Sequence, residues 1–382
     1  MVLRKRLLQR VRSALRRNPV TVLLGPRQCG KTTLAKQAIS RLRRANYFDL
    51  EDPAVVHSME NAATVLGSLQ GLVVIDEVQR RPELFPILRV LVDRSRKNRQ
   101  FLILGSASPD LLRQTSESLA GRVEFVEMGG FDLTEVGLRS WRKLWWRGGF
   151  PRSFLSTSDE NSVSWREQFV RTFLERDIPQ LGFNLAPLLV RRFWTMVAHY
   201  HGQTWNSSEV AASLGITDTT SRRYLEILAG AYMLRILPPW HQNLAKRQRK
   251  APKVYFTDPG LLHSLLGIQN PEMLLSHPKC GASWEGFAME HLLRLLPSGD
   301  VYYWAVHNGP ELDLLYVRFG RRLGFELKFS DAPVLTQSMR SAVLDLKLEK
   351  LLVVYPGKLR YSLDRRIEVL PLAFCLNVLR KL

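Results

Sequence analysis

The segment Val20-Thr-Val-Leu-Leu-Gly-Pro-Arg-Gln-Cys-Gly-Lys-Thr-Thr33 decides the fold of the first part of the chain. An apolar run leads into a loop with the spacing G-x-x-x-x-G-K-[ST], and a helical stretch follows. This order predicts a strand, a glycine-rich loop and a helix whose N-terminus and backbone N–H groups hold phosphate oxygens. We expect the amine of Lys31 to reach the β- and γ-phosphates of a nucleotide, and Thr32 to offer its hydroxyl to Mg²⁺.

Three more apolar runs, at 45–49, 72–75 and 101–104, alternate with helical stretches as in a parallel α/β sheet. The second run ends in Asp76, expected in the Mg²⁺ shell, and Glu77, expected to orient and deprotonate the attacking water. Alternatively, both acids are solvent-facing residues at a strand end. The motif predicts ATP hydrolysis as well as binding. The predicted nucleotide-binding residues are Gly25, Pro26, Arg27, Gln28, Cys29, Gly30, Lys31, Thr32, Thr33 and Asp76, with Thr32 and Asp76 as metal ligands.

Composition narrows the class of protein. The 382 residues predict two or three domains, and 45% hydrophobic with 24% charged residues excludes a disordered chain. Lys and Arg number 55 against 35 Asp and Glu, a net charge of +20, which makes a polyanion the expected partner, either nucleic acid or an anionic membrane surface. Three dispersed cysteines fit a reducing compartment. No apolar run approaches the roughly 20 residues of a membrane-spanning helix.

The first 48 residues contain 13 Lys and Arg and no acid, which superficially resembles an import peptide. Five apolar residues recur there at helical spacing, however, and the phosphate-binding motif follows closely. We therefore expect a basic amphipathic helix of the first domain and a cytoplasmic protein. The five residues are Leu3, Leu7, Leu8, Val11 and Leu15.

Several strings along the chain resemble a prokaryotic family of AAA-type ATP-binding proteins that carry a C-terminal domain of unknown function. In that group a polar residue at the end of the strand that corresponds to the run 101–104 contacts the γ-phosphate or the water, which implies this role for Ser106. Arg122 is the candidate arginine finger, a group often supplied by a neighbouring subunit of a homo-oligomer, or alternatively a surface arginine in an ordinary salt bridge. The strings are Gly25-Pro-Arg-Gln-Cys-Gly-Lys-Thr, Tyr47-Phe-Asp-Leu-Glu-Asp-Pro53, Ile75-Asp-Glu-Val-Gln79, Gly105-Ser-Ala-Ser, Leu119-Ala-Gly-Arg122, Gly148-Gly-Phe-Pro151, Phe173-Leu-Glu-Arg-Asp177, Lys253-Val-Tyr-Phe-Thr-Asp258 and Glu326-Leu-Lys328.

The middle of the chain predicts two short helices, one from Ser208 and one capped near Thr217 or Asp218, with a turn at Gly215. In a DNA-binding helix–turn–helix, the start of the second helix enters the major groove, so Arg222 and Arg223 would contact phosphates or base edges. The alternative is a lid or a protein interface. An exposed basic loop is expected to extend the footprint, through Lys246, Arg247, Arg249, Lys250 and Lys253.

The last third combines acids and a lysine on two predicted neighbouring strands. Asp313 lies on one strand, and the period-two spacing of Glu326 and Lys328 puts both on one face of the next. This pattern resembles the restriction-endonuclease-like fold, with Asp313, Glu326 and the helix residue Glu285 as Mg²⁺ ligands and Lys328 assisting water activation. The alternative is a buried ion pair in a domain without catalytic activity.

We therefore predict an α/β chain of three domains. A P-loop parallel-sheet ATPase domain spans 1–135, a helical and winged-helix-like domain 136–260, and a restriction-endonuclease-like α/β domain 261–382. The predicted function is Mg²⁺-dependent ATP hydrolysis coupled to action on nucleic acid, with DNA favoured over RNA. The alternative is an ATP-gated switch whose inactive C-terminal domain binds a protein or a nucleic acid. Trp145, Trp146 and Arg147 are interpreted as packing against the ATPase domain, or else as stacking on nucleobases.

Overall fold

The computed structural model describes residues 2–40, 42, 44–94, 99–106, 109–180, 186–241 and 250–379. The chain divides into two compact units. The first comprises residues 1–131 with the short segments 150–152 and 230–232, and the second comprises the rest. Apart from these two short segments, the predicted domains 136–260 and 261–382 thus lie within the second unit. Lys246, Arg247 and Arg249 of the predicted basic loop lie outside the described residues.

The first unit is built on a five-stranded parallel sheet with the strand order β2-β3-β4-β1-β5. Its elements are α1 (Lys5–Arg17), β1 (Val20–Gly25), α2 (Lys31–Ile39), β2 (Ala45–Asp49), α3 (Pro53–Ser58), α4 (Ala62–Ser68), β3 (Gly71–Asp76), α5 (Leu84–Arg94), β4 (Arg99–Ser106), α6 (Pro109–Ser118) and β5 (Val123–Glu127), with 3₁₀ turns at Met59–Asn61 and Val78–Arg80.

Both faces of this sheet are covered, as expected for parallel strands with crossover helices. Val22 points to the side of α4 and α5, while its neighbour Leu23 points to the side of α1 and α2. This alternation explains why the strands are continuous apolar runs. The predicted amphipathic α1 buries Leu7, Leu8 and Val11 among other residues, but Leu3 precedes the helix and is 48% exposed, against the prediction.

The second unit contains the helices of the middle segment and two sheets. Its elements are α7 (Leu133–Val136), α8 (Trp141–Arg147), α9 (Pro151–Phe154), α10 (Asp159–Thr172), α11 (Ile178–Gln180), α12 (Pro187–His199), β6 (Gln203–Thr204), α13 (Ser207–Leu214), α14 (Asp218–Gly230), β7 (Leu234–Leu237), β8 (Lys253–Phe256), α15 (Pro259–Leu265), α16 (Pro271–Ser276), α17 (Cys280–Leu295), β9 (Asp300–Ala305), β10 (Glu311–Arg318), β11 (Arg321–Leu327), α18 (Gln337–Asp345), β12 (Lys350–Tyr355), β13 (Tyr361–Asp364), β14 (Ile367–Pro371) and α19 (Leu372–Val378), with a 3₁₀ turn at Leu138–Ser140 and a π-helical turn at Phe173–Asp177.

The larger sheet of this unit has the order β13-β14-β12-β11-β10-β9. Strands β9, β10 and β11 form an antiparallel meander, and β12 pairs parallel to β11 after the crossover helix α18. The smaller sheet has the order β6-β8-β7, so β6 before the α13–α14 pair adjoins a strand that follows it. Among the described residues, no helix is both long and apolar enough to cross a bilayer.

Trp145 and Trp146 are buried, and their described contacts lie within the second unit. The indole N–H of Trp145 donates to the hydroxyl of Ser283 at 2.9 Å, and Trp146 stacks on His263 with ring centroids 5.5 Å apart. Arg147 is also buried and pairs with Asp159. These three residues therefore join helix α8 to helices of their own unit.

Candidate functional site

The phosphate loop connects β1 to α2 as predicted. Gly25 ends the strand, and a Cβ there would lie 2.0 Å from the carbonyl oxygen of Met128, so only glycine fits. Gln28 and Gly30 have positive φ angles of 60° and 98°. Such turns aim successive backbone N–H groups into one concavity, which together with the N-terminus of α2 makes an anion site. The backbone geometry thus fits the phosphate-binding role that the sequence pattern predicts.

Lys31 is buried in this loop, with 5% of its surface exposed. Its Nζ donates to the carbonyl oxygens of Gly25 at 3.0 Å and Pro26 at 2.9 Å. The ammonium is therefore held at the mouth of the loop, where phosphate oxygens can replace two neutral carbonyls as its partners. At the other side of the loop, Arg27 pairs with Glu51 at 3.1 Å.

Asp76, at the end of β3, accepts hydrogen bonds from two side-chain hydroxyl groups. The Oδ2 atom accepts hydrogen bonds from Thr32 Oγ1 at 2.7 Å and from the Tyr47 hydroxyl at 2.6 Å, and Oδ1 accepts from the N–H of Glu77 at 2.9 Å. The predicted metal ligands Thr32 and Asp76 are therefore adjacent. Hydroxyl and carboxylate oxygens are the ligands that Mg²⁺ takes, so these residues fit that ion.

Tyr47 is a site residue that the sequence analysis did not single out. It lies on β2, which pairs with β3, and its side chain contacts the acid at the end of that strand. Burial and the hydrogen bond to Asp76 raise the pKa of Tyr47. Its position two residues before Asp49, which aligns with Asp76 across the sheet, is a signal visible only once the strand pairing is known.

Glu77 and Ser106 are brought together through Gln79. The Gln79 side-chain amide donates to the Glu77 carboxylate and to Ser106 Oγ, the latter at 3.3 Å, and its Oε1 accepts from the Ser106 N–H at 3.3 Å. Because β4 lies between β1 and β3, its last residue Ser106 aligns with Gly25 of the phosphate loop. The predicted water-activating acid and the predicted γ-phosphate contact thus lie at one edge of the sheet.

Arg122 lies at the opposite end of the strands from the phosphate loop. It immediately precedes β5, and its carbonyl accepts from the N–H of Val20 at the start of β1, whereas the phosphate loop follows the end of β1. Its guanidinium makes two hydrogen bonds to Asp93, at 2.6 Å and 3.0 Å. Within its own chain Arg122 therefore makes the surface ion pair that was the alternative to an arginine finger.

A second group of ionisable residues lies in the larger sheet of the second unit. Two residues of β10, Asp313 and Leu314, fall in a register shift against β9, a bulge of the kind that redirects a side chain. The Asp313 carboxylate accepts from the N–H of Leu327 at 2.8 Å. Lys328 Nζ lies 2.6 Å from an oxygen of Glu326, so the pair shares one face of the sheet as the spacing predicted.

Lys253 joins this group and corrects the prediction of an exposed basic loop. It lies on β8 and is 4% exposed, because the strand it begins is buried throughout. Its amine lies 3.7 Å from Glu285 and also pairs with Glu311. The Tyr255 hydroxyl donates to the same oxygen of Glu285 at 2.5 Å. We call Lys253, Glu285, Asp313, Glu326 and Lys328 the carboxylate–lysine cluster.

Burial and mutual repulsion dominate the electrostatics of this cluster. Burial, followed by the negative charge of Asp313, raises the pKa of both Glu285 and Glu326. Burial lowers the pKa of Lys328 and Lys253, but the neighbouring carboxylates outweigh it, so both pKa values are raised. The surroundings therefore favour the protonated form of Glu285 and Glu326 beside charged amines.

The arrangement of the acids in the carboxylate–lysine cluster differs from that of the predicted metal site. Among the described residues, no three His, Cys, Asp or Glu side chains are arranged to hold a metal ion. Glu285 is bonded to Tyr255 and lies near Lys253, and Glu326 is bonded to Lys328. The assignment of Glu285, Asp313 and Glu326 as a metal shell stays a prediction.

The two helices predicted in the middle segment are present as α13 and α14, with Gly215 in the left-handed conformation between them. Thr217 Oγ1 accepts from the N–H of Thr220 at 3.1 Å and so caps the second helix. Tyr224 and Leu225 are buried, as core residues. Arg222 is exposed and pairs with Asp218 at 2.7 Å.

Comparison with known families assigns the first part of the chain. A family model described as an AAA domain matches residues 17–137, which contain the five-stranded sheet and the phosphate loop. Two models described as domains of unknown function match residues 138–272 (DUF8612) and 280–375 (DUF4143). The fold and the site together define an AAA-type, ATP-binding P-loop ATPase domain.

Two mycobacterial proteins match nearly the whole chain. They are the uncharacterized proteins Rv2008c of Mycobacterium tuberculosis (strain H37Rv) and Mb2031c of Mycobacterium bovis (strain AF2122/97), each 49% identical over 362 residues. The match spans 95% of this chain and 82% of each relative. The chain belongs to the family of these proteins.

Solved structures resemble the chain more distantly. The Walker-type ATPase PABY2304 of Pyrococcus abyssi is 17% identical and covers 70% of this chain and 96% of its own, with a TM-score of 0.46. A variant of RuvB from Thermotoga maritima is 20% identical and covers 62% of this chain and 90% of its own, with a TM-score of 0.31.

Proposed function

We propose that this protein hydrolyses ATP with Mg²⁺ in its first unit and uses the hydrolysis to control action on nucleic acid by its second. The observation that carries the first half is the meeting of Lys31, the Thr32–Asp76 pair and the Glu77–Gln79–Ser106 chain at one edge of the sheet. A phosphate-binding amine, a pair of Mg²⁺ ligands and a carboxylate base are the parts that phosphoryl transfer to water requires.

The residues divide the work by their positions. Lys31 exchanges its two carbonyl partners for β- and γ-phosphate oxygens, and Thr32 and Asp76 hold Mg²⁺, which supplies neutralising charge on those phosphates. Glu77 takes a proton from the attacking water, while Gln79 keeps its carboxylate in line with Ser106. Arg122 can act as a finger only on another subunit, so that role requires a homo-oligomer.

Two variants test this assignment. Glu77→Gln should bind a fluorescent ATP analogue with an affinity close to the wild type and release phosphate at least 100-fold more slowly, because only the base is lost. Lys31→Ala should bind the analogue weakly. Glu83→Gln, an exposed acid beside Arg81, is the control. Phosphate release by Glu77→Gln at the wild-type rate would show that Glu77 is not the base.

Three observations support nucleic acid as the partner of the second unit. The chain has a net charge of +20, which attracts a polyanion. The helices α13 and α14 with the sheet β6-β8-β7 have the order of elements of a winged-helix module. Arg222 and Arg223 lie on the second helix, the one that enters the major groove in such modules.

The carboxylate–lysine cluster supports phosphodiester hydrolysis as the action. The order α17, β9, β10, β11, α18, β12 places Asp313 on the middle strand of a meander and Glu326 and Lys328 at the end of the next. This is the arrangement that the restriction-endonuclease-like resemblance implies. Asp313, Glu326 and Glu285 would hold a divalent ion, which when bound would supply water activation and charge for the phosphate, and Lys328 and Lys253 add positive charge beside them.

A specific observation favours a second candidate, an ATP-gated switch that binds nucleic acid or protein without cleaving it. Each glutamate of the cluster already has a lysine or tyrosine partner, and the environment of Glu285 and Glu326 favours the protonated acid. In that protein the cluster would be an internal polar network without catalytic activity.

Nuclease assays separate the two. Single- and double-stranded DNA and RNA would be incubated with Mg²⁺ or Mn²⁺, with and without ATP. Cleavage that Asp313→Asn abolishes and Asp300→Asn, an exposed acid on β9, retains would support the nuclease. Lys31→Ala then shows whether ATP gates the cleavage. Intact ATP hydrolysis without cleavage of any substrate would favour the switch.

A further inference from the structure

Four aromatic rings form a cluster in the second unit that begins in its core and ends at its surface. Trp284 and Trp145 are buried, and their ring centroids are 5.8 Å apart. Trp141 stacks on Trp145 at 6.2 Å, and Phe329 lies against Trp145 at 5.0 Å and Trp284 at 5.9 Å. The cluster therefore has two inner rings and two outer rings.

The outer rings remain accessible. Phe329 is 37% exposed and Trp141 is half-buried, so part of each ring contacts solvent. The inner rings are fixed, since the Trp145 indole N–H donates to Ser283 and Trp284 is completely enclosed. A rigid base that carries partly exposed aromatic faces is suited to stacking against a flat ligand.

A basic residue is the chain neighbour of each outer ring. The guanidinium of Arg142, an exposed residue of α8, lies 4.5 Å from the centroid of the Trp141 ring. Lys328 immediately precedes Phe329, and adjacent Cα atoms are about 3.8 Å apart. Aromatic faces beside cations match a ligand that combines flat rings with negative charge, and a nucleic-acid strand has both.

We propose that Trp141 and Phe329 stack an unpaired nucleobase of a single strand whose backbone then passes Lys328 and the carboxylate–lysine cluster. The juxtaposition that carries this proposal is Phe329 following Lys328, whose amine bonds Glu326. The strand is single because bases inside a duplex have no free face for an aromatic side chain. The proposal rests on the proposed action on nucleic acid and adds the form of the substrate and its point of contact.

Affinity for a labelled 12-nucleotide DNA strand, measured by fluorescence anisotropy at fixed salt, tests the proposal. Phe329→Leu keeps an apolar side chain against Trp145 but loses the aromatic face, and should weaken binding about 10-fold, since stacking one base is worth about 1–3 kcal/mol. Trp141→Leu should do the same. Phe329→Tyr should retain the affinity. Binding of a matched duplex should change less than twofold in all three.

A matched control exists on the same sheet. Phe319 is 88% exposed at the β10–β11 turn, and the Arg318 guanidinium lies 4.7 Å from its ring. Phe319→Leu should leave both affinities unchanged.

The outcomes distinguish the two levels of inference. If the wild type binds neither strand nor duplex at low salt, the action on nucleic acid fails and the stacking site fails with it. If the wild type binds DNA and Phe329→Leu and Trp141→Leu bind the strand equally well, the stacking site alone is wrong, and the surface is left to a protein or a second copy of the chain. An equal loss for strand and duplex would also overturn it.

Discussion

Neutralising Glu326 should stabilise the second unit in a pH-dependent way. Glu326 is 5% exposed, one carboxylate oxygen is bonded to Lys328, and the other has no hydrogen-bond partner among the described residues. Burial, and then the charge of Asp313, raises the pKa of Glu326 from 4.5 to about 8. In the unfolded chain the same carboxyl ionises near its ordinary pKa. Glu326→Gln keeps the shape of the side chain and removes the charge.

The sign and the size of the pH dependence of stability follow from this difference in the pKa of Glu326 between the folded and the unfolded chain. Between about pH 4.5 and pH 8 the folded protein holds a proton that the unfolded chain has released, so wild-type stability falls as the pH rises. Each pKa unit is worth about 1.4 kcal/mol, which gives an upper limit of about 5 kcal/mol over the whole interval. Proton uptake by the neighbouring Glu285 reduces it. The raised pKa values of Lys328 and Lys253 add nothing here, because both amines are charged throughout this interval in either state.

Urea unfolding at pH 5 and pH 8.5 measures the effect. All nine tryptophans lie in the second unit, so their fluorescence reports that unit. The variant should gain about 3 kcal/mol in unfolding free energy relative to the wild type between the two pH values. The ion pair with the half-exposed Lys328 forms only where Glu326 is charged, and its effect is already contained in the pKa of Glu326. Glu349→Gln, an exposed acid paired with Arg321, should show no such change. If the variant and the wild type differ equally at both pH values, the pKa of Glu326 is not raised in the folded protein.

Two further variants follow from contacts that the sequence did not reveal. Gln79→Ala should lower kcat for ATP hydrolysis about 100-fold with little change in KM, because Glu77 and Ser106 lose their common partner. Steady-state kinetics measures this effect. The control is Gln70→Ala, which removes an exposed glutamine bonded to Arg44. Lys253→Met should cost about 3–5 kcal/mol at pH 8 and less at pH 5.5, where Glu285 takes up a proton and needs the amine less. Urea unfolding checks this beside Lys350→Met, and an equal cost at both pH values would contradict it.

Much of the first unit could be predicted from the sequence, because its signals are local. The runs at 45–49, 72–75 and 101–104 are strands, and each points its last residues to the edge where the phosphate loop lies. Parallel strands share that edge, so acids or hydroxyls at their ends converge even when the strand order is unknown. The placement of Asp76 beside Thr32 illustrates this rule.

The features that the sequence did not reveal depend on long-range pairing. The sequence around Arg122 gives little sign of β5, which begins at the next residue and is short and half-polar, so the position of Arg122 at the far edge of the sheet is not predictable from it. Lys253 resembles the end of a basic run in the sequence, yet it begins a strand that is buried between two others. Trp145 is close to the first unit in sequence, whereas its partners Ser283 and Trp284 are about 140 residues away.

The carboxylate–lysine cluster buries ionisable groups, and their burial costs folding free energy. A hydrophobic replacement of similar volume for buried ionic groups is often as stable or more stable, so folding alone does not require these residues. Acids whose pKa values are raised toward neutral pH, beside charged amines, are the groups that exchange protons or hold a phosphate in an active site. Glu326→Gln therefore bears on function as well as stability. If it stabilises the unit and abolishes cleavage or strand binding, the cluster is functional; if it stabilises the unit and changes neither, the cluster is a polar core without a role in either reaction.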